Sequence, residues 1–240
     1  MTPTRALLVT MVANFTTGRS TMRQVFVLVA MLAMYTTAVQ ADQYHTYRIT
    51  VTNATAQHVI TPPLAAVHRA GVHLFALGQP ASEGLAIQAE TGDNQPLYQE
   101  LSVADGVFDV VATGSPVVYG QSLSFEIRAP KHARISVTGM LATTNDAFMG
   151  LDGVRLPRHS ASYLVYAWDA GSELNNELCA YIPGPPCSPT SGNARTATGE
   201  GFVTIHKGVH GVGDLDAVAL DWRGPVARVT ITRIRKGDDD

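Results

Sequence analysis

From Trp168 to Glu177 the chain reads Trp-Asp-Ala-Gly-Ser-Glu-Leu-Asn-Asn-Glu, which crowds Asp169, Glu173, Asn175, Asn176 and Glu177 around a tight Gly turn. Hard oxygen donors on irregular backbone suit a hard cation, and calcium takes six to eight carboxylate and carbonyl oxygens in a flexible shell. The same residue types also make ordinary solvated turns. Taken alone, the stretch leaves both readings open.

A second constellation is His206-Lys-Gly-Val-His210, whose imidazoles would share one face of a helix and could hold a transition metal for hydrolytic or redox chemistry. Gly208 and Gly211 work against a helix, and Phe202 to Ile205 leads in as a strand, so the rings need not converge. His68 and His73, five apart around Gly71, meet the same objection. Asp214 and Asp216 could imitate an acid/base pair but read more simply as a polar turn between strands. The serines lack the Gly-x-Ser-x-Gly setting of an activated nucleophile. The expectation is a protein that is not an enzyme, with a metal-dependent enzyme using His206 and His210 as the alternative.

The elements that must position these residues are mostly strands. Tyr47-Arg-Ile-Thr-Val-Thr52 alternates apolar and polar residues at the two-residue period of a half-buried strand. Residues 106–112, 122–128 and 134–140 follow as three strands in an antiparallel meander or part of a Greek key. Tyr163 to Trp168 delivers the acidic loop, residues 201–206 come after it, and 226–234 form the last strand. Between residues 81 and 90 a short helix is expected, capped by Ser82 and stopped by Gly92. Seven or eight strands with one helical insertion define an all-β protein, an antiparallel β-sandwich.

Residues 22–34 have the basic start and apolar core of a secretory signal, and Val39-Gln40-Ala41 supplies small residues for cleavage before Asp42. Residues 1–41 are therefore set apart, with Met22 as a possible true start, and residues 42–240 are expected to form one domain. The apolar run is too short for a bilayer span of about 20 residues. The mature chain is expected to be secreted or periplasmic, without a transmembrane segment. Excision removes Arg5, Arg19 and Arg23 but no acid, taking the formal charge from −3 to −6. Basic residues cluster only at Arg228, Arg233, Arg235 and Lys236, offset by Asp238 to Asp240, so nucleic acid is not an expected partner. Cys179 and Cys187 are the two cysteines, and in an oxidising compartment they are expected to pair and fasten the segment after the acidic loop.

Several stretches together resemble the spondin N-terminal domain, the family of the F-spondin and mindin domains and of short bacterial secreted proteins. Tyr47 to Asn53 resembles its opening strand, Gly78 to Leu85 with Ala89 to Asp93 its helical insertion, and Asn145-Asp-Ala-Phe-Met-Gly-Leu151 its long loop. Trp168-Asp-Ala-Gly-Ser-Glu173 is similar to the family's Trp-Asp-Ala-Gly-Thr-Asp/Glu motif, the most specific of these. Gly201 to Gly211 and Asp221-Trp222 are similar to bacterial members. The resemblance implies a C2-like sandwich holding Ca2+ in its end loops, with Asp146, Asp169 and Glu173 as ligands. Glu173 stands where the family often has Asp, a difference of one methylene. Asp152, Glu177 and carbonyls near Gly150 or Asn176 are candidates to complete the shell. The implied function is recognition or adhesion, with an extracellular or envelope protein or glycan as the partner.

Overall fold

The computed structural model describes residues 44–187 and 198–235. The signal sequence, the possible start at Met22, most of the Pro/Ser loop after Cys187 and the Asp238 to Asp240 tail lie outside these residues.

Among the described residues, ten strands form two antiparallel sheets. The first sheet holds β4 (Ser122–Pro130), β1 (Tyr44–Asn53), β10 (Ala227–Arg233) and β7 (Ser160–Val165), in that order. The second holds β3 (Val107–Ala112), β2 (Leu64–His68), β5 (Arg134–Met140), β6 (Ala147–Arg155), β8 (Ala167–Asp169) and β9 (Thr204–Ile205). The antiparallel sandwich expected from the strand pattern is therefore the fold. The main core lies between the sheets, where Ile49, Val51, Ile127, Val229 and Ile231 face Ala65, Val67, Ile135, Val137 and Met149.

The two sheets differ in what covers their outer faces. The four-stranded sheet leaves one side to solvent, where Ser124, Thr50, Thr230 and Ser162 form a row of paired hydroxyls across all four strands. Its strands alternate accordingly. The outer face of the six-stranded sheet is instead covered by α1 (Glu83–Thr91) and α2 (Gln95–Ser102). Leu85, Ala89, Leu97 and Leu101 pack there on Leu64, Ala66, Phe75 and Phe148. A strand buried on both faces reads as a continuous apolar run, and β2 is buried at every position.

Three sequence expectations change. Residues 107–130 are not a meander, because β3 belongs to the second sheet and β4 to the first. The stretch read as a long loop after Asn145 is largely β6, with Asp146 immediately before it. Tyr163 to Trp168 is two strands, since β7 ends at Val165 in one sheet and β8 starts at Ala167 in the other. The expected helix is α1, with Ser82 Oγ accepting from the Leu85 amide and Gly92 in the left-handed conformation at its end; α2, which starts with Pro96 in its first turn, is additional. Ser82→Ala removes one cap hydrogen bond and should lower stability by about 1 kcal/mol, read as a small, calcium-independent fall in the denaturation midpoint.

Candidate functional site

Two chain segments meet at one end of the sandwich. The β5–β6 connection carries Thr143 to Asp146, and the segment leaving β8 carries Ala170 to Glu177. They are adjacent because β6 and β8 pair antiparallel, with Ala147 opposite Asp169. This register brings together two carboxylates 23 positions apart in sequence. The Ala170 amide then donates to the Asp146 carbonyl at 3.2 Å.

Asp146 has no solvent exposure. Its Oδ2 accepts from the Ser172 amide at 2.8 Å, the Glu173 amide at 3.0 Å and Ser172 Oγ at 3.2 Å. Its Oδ1 is buried with no hydrogen-bond partner. Burial, and then the Asp169 charge, push the Asp146 carboxyl up to about 7, against the pull of the Ser172 and Glu173 donors. Asp169 is pushed to about 6, chiefly by burial and further by Glu200, while the Gly171 amide, Asn175 and Lys207 act the other way. Its Oδ1 accepts from Gly171 at 2.7 Å and its Oδ2 from Asn175 Nδ2 at 2.6 Å. Glu173 is buried beside this pair and joined to it through its amide. Asp146, Asp169 and Glu173 thus occupy one locality, although among the described residues no three His, Cys, Asp or Glu side chains are gathered closely enough to hold a metal ion between them.

The turn depends on glycine at two positions. Gly171 has φ +68°, and a Cβ there would meet the Phe202 backbone. A Cβ on Gly199 would likewise meet the carbonyl of Gly171. The Gly201 amide donates to the Gly171 carbonyl at 2.8 Å, so the 199–203 segment closes over the acidic turn by backbone contact.

The other candidate ligands have different work. Asp152 accepts from the Leu74 amide and Ser136 Oγ and pairs with His73, which accounts for its carboxylate without the acidic loops. Glu177 accepts from the His210 and Val212 amides, so it anchors the 206–213 segment. Gly150 offers its carbonyl to Trp168 Nε1 at 2.9 Å. Asp214 accepts from the Cys179 amide, and Asp216 caps α3 (Ala217–Leu220). Cys179 and Cys187 are disulfide-bonded, as the sequence suggested.

His206 and His210 line a cavity of about 230 Å³ together with Asp169, Asn175, Glu177 and Lys207. Both ring nitrogens of His206 are engaged: Nδ1 accepts from the Gly208 amide at 3.0 Å, leaving Nε2 to donate to Asn175 Oδ1 at 3.2 Å. The ring stacks on Trp222. Burial, and then His58 and His210, hold its pKa down to about 4, so it is a neutral imidazole. A continuous chain of hydrogen bonds therefore runs from Asp169 through Asn175 to His206. Sequence reasoning missed this chain, because Asn175 and His206 come together only through the pairing of β8 with β9. It missed also the buried Ser136, bonded to both His68 and Asp152. That trio differs from a hydrolytic triad in that the carboxylate bonds the hydroxyl and does not orient the imidazole.

The buried carboxylates sit on end loops of a rigid β frame, the places where binding and catalytic residues of such domains are commonly found. The Spondin_N family model matches residues 43–179, more than half of the chain, and the protein belongs to the spondin N-terminal domain family. Strands β9 and β10 lie beyond the matched region. A comparison with curated proteins finds no match.

Proposed function

We propose that this protein is an exported calcium-binding recognition or adhesion module in which the ion organises the end loops. The observation that carries the reading is the buried, unbonded Oδ1 of Asp146 beside Asp169. A buried carboxylate oxygen without a donor is costly, and two neighbouring carboxylates repel. A divalent cation relieves both. Asp146, Asp169 and Glu173 would hold it once their side chains close on the ion, and their all-oxygen chemistry fits calcium better than zinc or copper. When bound, calcium supplies positive charge and fixed coordination to the loops. The chain's own part is to set the carboxylates: the Ser172 and Glu173 amides orient Asp146, while Gly171 and Asn175 orient Asp169. The ligand so recognised is an extracellular or envelope protein or glycan.

Elemental analysis and calorimetric titration of the purified chain test the reading. One equivalent of calcium, removed by EDTA and restored by titration, is the expected result. Stoichiometric zinc or copper that is lost in His206→Ala would favour a metal-dependent enzyme instead. Absence of any calcium heat in metal-free protein would sink the proposal.

A further inference from the structure

At the opposite end of the sandwich, a second and larger cavity of about 710 Å³ is lined by Arg134, Arg155, Arg158, Arg233, Arg235 and Lys131. It is separated from Asp146 by the length of the β5–β6 hairpin, on the order of 20 Å at ~3.3 Å per residue. Six of the 17 Lys and Arg residues of an acidic chain converge here, and none of the described residues lining the cavity is acidic. Three arginines elsewhere take carboxylate partners, in Arg48–Glu126, Arg69–Asp105 and Arg223–Asp221. Among the described residues, Arg134, Arg155, Arg158 and Arg233 have no such partner.

The backbone register makes the arrangement less favourable still in the absence of an anion. Arg134 and Arg155 are directly opposite each other in the β5–β6 pair, and like charges so placed repel. Arg134 turns one nitrogen to the Gly153 carbonyl at 2.7 Å, which fixes its direction without neutralising it. Arg233 donates through Nη2 to His45 Nδ1 at 3.0 Å, yet its Nε is buried with no hydrogen-bond partner. Concentrated positive charge, an unsatisfied guanidinium donor and a concave, solvent-reachable volume together describe an anion site.

Guanidinium groups present flat forks of N–H donors that match the oxygens of phosphate and sulfate. A 710 Å³ cavity with guanidiniums from three separate segments exceeds what one tetrahedral ion needs. We propose that this cavity binds a polyvalent oxyanion carrying at least two phosphate or sulfate groups. Tyr47 is the one aromatic in its lining besides the histidines, and it is buried, so the cavity has no platform for stacking nucleic-acid bases. The site stands independently of the calcium reading, being built from other residues at the other end of the fold.

The test is calorimetric titration of the full chain at low ionic strength, about 20 mM, where screening is weak, with pyrophosphate, inositol hexakisphosphate and a trisulfated heparin-type disaccharide as probes. Saturable 1:1 binding of at least one probe is expected. Arg155→Gln/Arg158→Gln, at two exposed positions, should weaken it by about tenfold or more, the effect of lost charge-assisted hydrogen bonds. Arg223→Gln/Arg228→Gln, at two exposed positions outside the cavity lining, changes the net charge equally and should leave affinity within about twofold, since it removes no donor from the site. Binding of pyrophosphate or the hexakisphosphate supports recognition of free phosphates; binding of the disaccharide alone supports a sugar-borne sulfate. No binding of any probe at millimolar concentration, or equal weakening by both double variants, would overturn the proposal.

Discussion

Asp146→Asn should raise the thermal stability of the metal-free protein and abolish its response to calcium. The substitution is nearly isosteric. Its amide oxygen can take the place of Oδ2 and keep the bonds from Ser172 and Glu173, while its NH2 replaces the buried Oδ1 that lacks a donor. A buried charge and its repulsion with Asp169 disappear together. In wild-type protein the same physics sets a pH dependence with a definite sign. The folded carboxyl titrates near 7 instead of 3.8, so the folded state binds its proton more tightly than the unfolded chain does. Stability is then fullest below the unfolded value and declines as pH rises through the folded one.

Each pH unit in that window is worth ~1.4 kcal/mol, and 1 kcal/mol moves Tm by roughly 2–4 °C in a domain of this size. Metal-free wild type should therefore lose on the order of 5–10 °C between pH 5 and pH 8, and Asp146→Asn much less. Saturating calcium should reverse the trend in wild type, because protons compete with the ion for the same oxygens. Scanning calorimetry in EDTA and in calcium at both pH values reads all four quantities. A metal-free melting curve that does not change with pH would contradict the buried-pair account.

Gly171→Ala should be among the most damaging single-methyl changes in the molecule. At φ +68° a non-glycine residue is strained, typically by 1–2 kcal/mol. The added Cβ also meets the Phe202 backbone, which cannot move aside as a flexible side chain would. Relief requires lifting the 199–203 segment, which breaks the Gly201–Gly171 hydrogen bond and unseats Val203 from the core beneath the helices. A loss of about 3 kcal/mol or more is expected from strain and overpacking together, with calcium affinity falling in parallel because Asp169 is oriented by the Gly171 amide. Denaturant melts with and without calcium check it. Gly201→Ala supplies the comparison, being left-handed in open space and so lacking the contact.

The contrast between the two sheets explains which parts of this architecture could be read from sequence. In β1, β4 and β10 one face meets water, so Tyr47, Ile49 and Val51 alternate visibly with their polar neighbours. Strand β2 shows no alternation because α1 and α2 cover its second face. Strand β6 was obscured further by Gly150 and Gly153; at Gly150, Phe75 and Trp168 occupy the space where a side chain would lie. The split at Tyr166 is invisible to periodicity, since nothing in Tyr-Leu-Val-Tyr-Ala-Trp announces a change of sheet.

At the candidate site, Asp169 and Glu173 were legible because they lie in one short motif. Asp146 came only through family resemblance, since the β6–β8 register that makes it their neighbour is a tertiary fact. Asp152 and Glu177 looked like candidate ligands for the reason any loop carboxylate does. Their oxygens are taken by amides and hydroxyls from segments distant in sequence. The basic cavity was legible least of all. Its arginines come from the start of β5, the far end of β6 and the end of β10, three places well separated in sequence.

Strands β1 and β10 occupy the two inner positions of the four-stranded sheet, paired from Tyr47 with Arg233 to Asn53 with Ala227. The earliest strand thus waits for the last. Closing a loop of this length costs entropy before any contact repays it, and folds dominated by such distant pairings form slowly. With β10 missing, β7 has no neighbour and β1 lacks one edge, so a fragment ending with the family match at Cys179 cannot assemble the sheet. A chain released in order from its N-terminus remains without a closed core until Arg233 is free.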